Sequence, residues 1–310
     1  MDYFVIRGGA RLRGTIDVSG SKNAALPIIA ATILTEGQTV LRGVPDLADI
    51  THLLDLMRVL GVDCRRDESG ALHLHVKDTG PYHAEYDLVR KMRASVCVMG
   101  PLLARRGRAQ VAMPGGCAIG YRPIDLHLRG LGALGAEVQL IDGDVHLQSA
   151  KLQGGEIFLG GSSGSTVLGT ANVMMAATLA KGTTVIESAA CEPEVADLAD
   201  FLNACGARIT GHGSPRIVVE GVESLHGCDY TVIPDRIEAG TFMMAAAITN
   251  GELTLRNCRL DHLLAVVDML RQVGIIIERD GENVTVASSR HLNTRSEEHT
   301  SELQSRQVSS

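Results

Sequence analysis

Apolar residues change their spacing along the chain at regular intervals. The run NAALPIIAATIL (23–34) is apolar on every side, which predicts a helix buried all round. LLDLMRVLGV (53–62), LRGLGALGAEV (128–138), LADFLNACGARI (198–209) and VVDMLRQVGIII (266–277) instead place apolar residues near i, i+3, i+4 and i+7 and close on a glycine. That spacing predicts one-sided helices with a glycine at the C-cap region. After each of them an alternating segment predicts a half-buried strand: ALHLHV (71–76), DVHLQS (144–149), RIVVEG (216–221) and NVTVAS (283–288).

The pattern repeats. AATILTEGQTVLRGVP from Ala30, AATLAKGTTVIESAA from Ala176 and AAAITNGELTLRNCR from Ala245 share one plan, and PLLARRGRAQVAMPG from Pro101 is a weaker copy. Their marker glycines, Gly37, Gly107, Gly182 and Gly251, are 70, 75 and 69 residues apart. One unit is therefore helix, strand, helix and strand pair over about 70 residues, and it occurs four times. A helical solenoid has shorter, strandless repeats. A dinucleotide-binding half needs GxGxxG after its first strand, and none is present. The fold class is α/β (α+β), built from pseudo-symmetric units.

At 310 residues, 45% of them hydrophobic, the chain suits two domains with ample core. Aromatics are only 3%, with no Trp, and the formal net charge is −7. Both facts argue against nucleic-acid partners, which call for stacking platforms and basic surfaces. No apolar run reaches membrane-spanning length, and MDYFVIRGGARLRG carries charges where a signal peptide needs an apolar stretch. The expectation is a cytoplasmic protein without a membrane partner. Of the seven cysteines no two lie within ten positions, so there is no metal-binding or redox CxxC, and free thiols are expected. Nothing implies a metal or an organic cofactor, and the oligomeric state is not legible.

Polar chemistry gathers at the helix starts. SGSKNAALP offers Ser19 or Ser21 as cap with Lys22 and Asn23 in the first turn; KMRASVCVMG offers Arg93 and Ser95; GGSSGSTVLGT offers Ser162, Ser163 and Gly164; PDRIEAGTF opens the fourth unit. Helix N-termini present unpaired N–H groups and partial positive charge, so each start fits plain capping or an anion site. Basic or glycine–serine starts recurring in equivalent positions favour ligand binding. Between units lies MPGGCAIGYRP (113–123), where Cys117 sits among Gly115, Gly116 and Gly120, with Arg122 next to Pro123. A nearby cation lowers a thiol pKa, which suits a nucleophile or proton donor. An incidental loop cysteine fits the same residues equally well.

GSKNAALP, MRAS, MPGGCAIGYRPIDLHL, EPEVADLADFL and PDRIEAGTFMMAAAI, in this order, resemble the enolpyruvyl transferase family. The similarity runs from about Met1 to about Ser288. The Cys-containing loop points to the branch that uses UDP-N-acetylglucosamine rather than the shikimate-pathway branch. The resemblance implies an inverse α/β barrel fold with two domains of three units each and substrates held between them. It implies transfer of enolpyruvate from phosphoenolpyruvate to the 3′-hydroxyl of UDP-N-acetylglucosamine, the first committed step of peptidoglycan synthesis. Lys22 and Asn23 would meet phosphoenolpyruvate. Arg93 and the run Arg122, Pro123, Ile124, Asp125 and Leu126 would hold the UDP-sugar, with Ser162, Ser163 and Gly164 at its diphosphate. Cys117, on a closing loop, would protonate the enolpyruvate methylene carbon. His127, Glu192 and Asp235 match positions around the site, with structural roles at least as apt.

The resemblance also sets an expectation about extent. Six units are wanted and four are counted. Residues 22–233 would make one complete three-unit domain, and residues 1–21 with 234–287 a partial second one. The family's sugar-activating Asp and a phosphoenolpyruvate-binding Arg fall outside the matched stretch. The tail 288–310, SSRHLNTRSEEHTSELQSRQVSS, is polar, is expected to be disordered, and looks like translated sequencing-adapter DNA rather than the family. The competing functional expectation is an inactive fragment that at most binds the UDP-sugar.

Overall fold

The computed structural model describes residues 3, 5, 7–113, 123–162, 164–288 and 292. Cys117 and Arg122, in the loop 114–122, and Ser163 lie outside them.

The first repeat runs through β1 (Arg13–Asp17), α1 (Lys22–Ala31), β2 (Thr35–Glu36), β3 (Gln38–Arg42), α2 (Ala48–Val59) and the hairpin β4–β5 (Val62–Arg66, Leu72–Val76). The second has β6 (His83–Ala84), α3 (Tyr86–Val89), a 3-10 helix over Arg93–Val98, α4 (Met99–Arg106), β7 (Arg108–Ala112), α5 (Asp125–Ala133) and the hairpin β8–β9 (Glu137–Ile141, Asp144–Gln148). The third has β10 (Glu156–Phe158), α6 (Val167–Ala177), β11 (Thr183–Glu187), α7 (Pro193–Ala204) and the hairpin β12–β13 (Arg208–Thr210, Arg216–Glu220). The fourth has β14 (Leu225–His226), β15 (Asp229–Thr231), α8 (Arg236–Ile248), β16 (Glu252–Arg256), α9 (Leu264–Gln272) and the hairpin β17–β18 (Ile275–Asp280, Asn283–Ser288).

Four four-stranded sheets of the same order result, two of them taking their edge strand, β1 or β15, from another repeat. An edge strand pairs in parallel with the strand after the all-apolar helix, and that strand pairs antiparallel with the second strand of the hairpin. The edge strands, two to five residues long, escape a periodicity reading.

The chain divides into two compact bodies, Gly20–Ile233 and Met1–Ser19 with Pro234–Ser310. The first body holds three of the sheets, β15-β3-β5-β4, β6-β7-β9-β8 and β10-β11-β13-β12. Its core is built on the helices whose sequence is apolar all round: Ala24 to Ala31 of α1 and Gly169 to Ala177 of α6 are buried throughout, as are Met99 to Leu103 of α4. The one-sided helices α2, α5 and α7 turn only one face inward, as their spacing requires. Phe201 of α7 is fully buried and meets Tyr230 edge to face, with ring centroids 5.4 Å apart. The second body has the single sheet β1-β16-β18-β17 with α8 and α9 against it.

Two expected helix starts are displaced. The third repeat's helix begins at Val167, capped by Thr166, and not at Ser162–Gly164. The cause is a tight turn in which Gly161 and Gly164 exchange both main-chain hydrogen bonds (2.9 and 3.1 Å), and Gly164 takes φ +90°, outside helical space. In the second repeat Arg93 opens a 3-10 segment, and the α-helix follows only at Met99. In the fourth repeat the left-handed residue is Asn250 (φ +54°) rather than the marker Gly251.

Candidate functional site

Helix α6 supplies the centre of the site. Thr166 accepts a hydrogen bond from Gly169 N (3.2 Å), which sets the start of the helix, and the first-turn residues Val167 and Leu168 line a cavity of about 420 Å³. First-turn N–H groups have no intrahelical acceptor, so this end of α6 presents donors and partial positive charge to the cavity. The preceding turn contributes Ser162 and Gly164. It is held in place by Arg129 of α5, which donates to Gly160 O at 2.8 Å and lies over the Phe158 ring.

Helix α5 forms the second wall. Pro123, Asp125, Leu126 and His127 line the cavity, and Arg93 reaches it from the 3-10 segment. Of the residues expected at the UDP-sugar, the fold thus brings Arg93, Pro123, Asp125, Leu126, Ser162 and Gly164 around one cavity. Ile124 departs from this set: it is buried in the core and does not line the cavity, because its side chain points inward at the start of α5. Only its main chain remains for a ligand.

Lys22 and Asn23 stand apart from that cavity, in the first turn of α1. Ser21 caps the helix by accepting from Ala24 N, and Lys22 Nζ donates to Asp49 Oδ2 at 2.8 Å across half-exposed side chains. Pro27 has no N–H to give the carbonyl of Asn23, so that oxygen stays outside the helical hydrogen-bond ladder. Asn23 itself is exposed.

The buried polar groups behind the cavity are ordered. His127 is 4% exposed and Asn172 of α6 is fully buried. Asn172 accepts from Gly100 N (2.8 Å) and donates to Val96 O (2.9 Å), and its amide nitrogen is 3.0 Å from His127 Nδ1. Burial, and then the charge of Arg93, pull the His127 imidazole down to about 4 against the opposing pull of Asp125. The ring is therefore neutral at physiological pH. Asn172 carried no signal in the sequence beyond being a polar residue in an apolar helix, VLGTANVMMAA.

Two further acidic residues belong to α7 and its cap. Glu192 occupies its N-cap position. Asp197 is buried and accepts from Tyr230 Oη (2.6 Å) and Ile233 N (3.3 Å), fixing the last residues of the first body. Burial raises its carboxyl to about 6, partly offset by the Tyr230 hydrogen bond. Among the described residues no cluster of three or more His, Cys, Asp or Glu is placed to hold a metal ion, and no helix is long and apolar enough to cross a membrane. Taken together, the cavity offers a helix N-terminus, a guanidinium, hydroxyl groups and a neutral imidazole, an arrangement that suits phosphoryl oxygens.

Comparison with known proteins identifies the family. The sequence profile for EPSP synthase (3-phosphoshikimate 1-carboxyvinyltransferase) matches residues 6–302. A protein of Methylacidiphilum infernorum named UDP-N-acetylglucosamine 1-carboxyvinyltransferase is 51% identical over 292 residues, covering 93% of this chain and 68% of its own length. One of the same name from Desulfovibrio desulfuricans is 54% identical over 284 residues, covering 92% and 67%. Among solved structures, the enolpyruvyl transferase NikO from Streptomyces tendae matches with TM-score 0.79 at 23% identity, over 92% of this chain and 68% of that one. An EPSP synthase from Acinetobacter baumannii matches with TM-score 0.71 at 21% identity, over 93% and 67%. These two share the fold.

Proposed function

The chain belongs to the EPSP synthase family, and from that premise we propose that it serves transfer of enolpyruvate from phosphoenolpyruvate to the 3′-hydroxyl of UDP-N-acetylglucosamine, with release of phosphate. The carrying observation is the cavity of the first body. Its α6 N-terminus, Arg93, Ser162 and Gly164 match the charge and donor needs of a diphosphate, in a chain about half identical to relatives of that name. Asp125 and Leu126 complete the wall on which the sugar nucleotide rests. Lys22, paired with Asp49, is the cation assigned to phosphoenolpyruvate, with Asn23 beside it.

The reaction adds the sugar oxygen to C2 of the enolpyruvyl group and a proton to C3. Loss of phosphate and of one C3 proton then restores the double bond. Cys117 is assigned the proton donation to C3, with Arg122 on the same loop as a further cation for the bound anions. Such a step belongs to peptidoglycan precursor synthesis and to the cytoplasm.

A second reading, binding of the UDP-sugar without turnover, is favoured by one observation: the cavity lies entirely within Gly20–Ile233. One pair of measurements on residues 1–310 separates the readings: calorimetric titration with UDP-N-acetylglucosamine, and phosphate release from phosphoenolpyruvate in its presence. Release that depends on both substrates supports transfer. Binding without release supports the second reading. Absence of both overturns both.

A further inference from the structure

Resting on the functional reading above, we infer that Asn172 is a positioning residue that locks His127 as a neutral imidazole protonated on Nε2, a hydrogen-bond donor for a phosphoryl oxygen of the nucleoside-diphosphate sugar in the α5–α6 cavity.

The amide orientation of Asn172 is fixed by two main-chain groups. Gly100 N–H can only donate, so the atom it meets at 2.8 Å is Oδ1. Val96 C=O can only accept, so the atom it meets at 2.9 Å is Nδ2. The second hydrogen of that Nδ2 lies toward His127 Nδ1 at 3.0 Å, and an amide nitrogen has no lone pair to accept with. Nδ1 must therefore be bare, and the single proton of the ring sits on Nε2. An imidazolium would place an N–H against an N–H and a second cation beside Arg93. The low proton affinity of the ring agrees with this.

Asn172 is the only hydrogen-bond partner of the ring among the described residues, and His127 lines the cavity with Arg93 and Ser162. The charged groups acting on the ring are Arg93 from the 3-10 segment and Asp125 from its own helix; α6, VLGTANVMMAA, contributes none. A neutral Nε2–H next to Arg93 adds a directed hydrogen bond to an anionic oxygen without repelling the guanidinium. Its strength is then independent of pH across the physiological range. The close crossing of α4 and α6 at Gly100 makes the lock rigid, because a Cβ there would lie 2.2 Å from Asn172 O.

The test uses residues 1–310 labelled with ¹⁵N-histidine. A long-range ¹H–¹⁵N spectrum, with His127 assigned through His127→Leu, is expected to show protonation on Nε2 and no titration between pH 6 and 8. An Nδ1-protonated or titrating ring overturns the inference. Asn172→Asp should reverse the lock: its carboxylate accepts from Nδ1–H, so the neutral ring turns a bare Nε2 to the ligand and binding needs the protonated ring. UDP-N-acetylglucosamine affinity of that variant should fall roughly tenfold or more as pH rises from 6 to 8, while that of the unaltered chain stays flat. His127→Leu should lose about the same factor at every pH. Parallel pH profiles for Asn172→Asp and the unaltered chain overturn the inference, because a purely structural asparagine leaves the profile unmoved. The tautomer spectrum needs no ligand. Failure of the sugar nucleotide to bind the unaltered chain therefore counts against the functional reading, and an Nδ1–H ring counts against this one.

Discussion

Gly100→Ala tests how closely α4 and α6 cross behind the cavity. A Cβ built on Gly100 lies 2.2 Å from Asn172 O, 3.0 Å from its carbonyl carbon and 3.1 Å from Oδ1. Ordinary contact begins at about 3.4 Å, so the added methyl is about 1.2 Å too close to main-chain atoms of a buried helix. No side chain can turn aside to relieve that. Either the helices separate, losing the Gly100–Asn172 hydrogen bond, or the backbone bends. Overpacking of this kind costs about 1–3 kcal/mol and the lost hydrogen bond about 1 more, against a gain of up to about 1 from alanine's helix propensity. The net expectation is a loss of about 1–3 kcal/mol. Gly132→Ala, on α5, is the matched control. Its nearest neighbour to a new Cβ is Val138 Cγ2 at 3.9 Å, so the same change there should be neutral or stabilise by up to about 1 kcal/mol. Thermal and denaturant unfolding of both variants gives the difference directly, and UDP-N-acetylglucosamine binding should weaken only in Gly100→Ala, because Asn172 and His127 shift with it. A Gly100→Ala protein as stable as Gly132→Ala would falsify the packing argument.

Asp197 gives a pH prediction with a definite sign. Its folded carboxyl at about 6 lies above the ordinary 3.8, so the folded state holds its proton more tightly; stability should fall as pH rises from about 4 to about 6, then level, by about 3 kcal/mol in all. Asp197→Asn should flatten that slope in unfolding measured across pH 4–8, and an unchanged slope refutes the assignment. The thiols give a labelling prediction. Burial pushes Cys64 and Cys97 up to about 12, whereas Cys191 is exposed and Cys228, 3.3 Å from Cys205, is drawn toward thiolate by that contact. Fosfomycin, an anionic thiol-alkylating mimic of phosphoenolpyruvate, should still label Cys117 first, with Cys117→Ser sparing sugar-nucleotide binding; mass spectrometry showing Cys191 or Cys228 labelled equally fast counts against the loop assignment. Finally, Met244→Gln with Ile248→Gln should lower dye binding and aggregation with a stability change within about 0.5 kcal/mol, since these α8 side chains are 50% and 81% exposed; a larger loss shows that they are packed.

The repeat was legible because burial writes itself into spacing. Alternation marked the hairpin strands, and a glycine marked each helix end. What the spacing concealed was whatever depends on distant partners. Strands β6 and β10 are two and three residues long, too short to show alternation, and they exist because β7 and β11 offer them a parallel edge. Within the site, the motif residues Arg93, Asp125, Ser162 and Gly164 do converge on one cavity, Asp125 from the start of α5, Arg93 from the 3-10 segment, and Ser162 and Gly164 from the turn before α6. Ile124 was expected with them from the resemblance; as the N-cap residue of α5 it turns its side chain into the core, which leaves its main chain for a ligand. Asn172 could not be read at all: its partners, Gly100, Val96 and His127, lie 72, 76 and 45 residues away.

The edge strands reveal one more rule, and it concerns the path of the chain. In the second and third repeats, β6 and β10 each pair with the strand that follows their own helices, β7 and β11. In the first and fourth the pairing is exchanged: β1 precedes α1 but pairs with β16, and β15 precedes α8 but pairs with β3. Charge does not decide this. Arg42 and Arg256 occupy equivalent repeat positions, each five residues after its marker glycine, and their partners Asp229 and Asp17 would serve either arrangement. These exposed pairs are in any case weak, because solvent screens them. Connection length does not decide it either, because a strand, a four-residue loop and a helix make an ordinary parallel crossover. What the exchange does is tie distant parts of the chain: β1 adds the edge of a sheet whose other strands begin at Glu252, and β15 adds the edge of one whose other strands end at Val76. Asp197, holding Tyr230 and Ile233, fixes the chain at β15 and just after it, and so anchors one of these two long-range pairings.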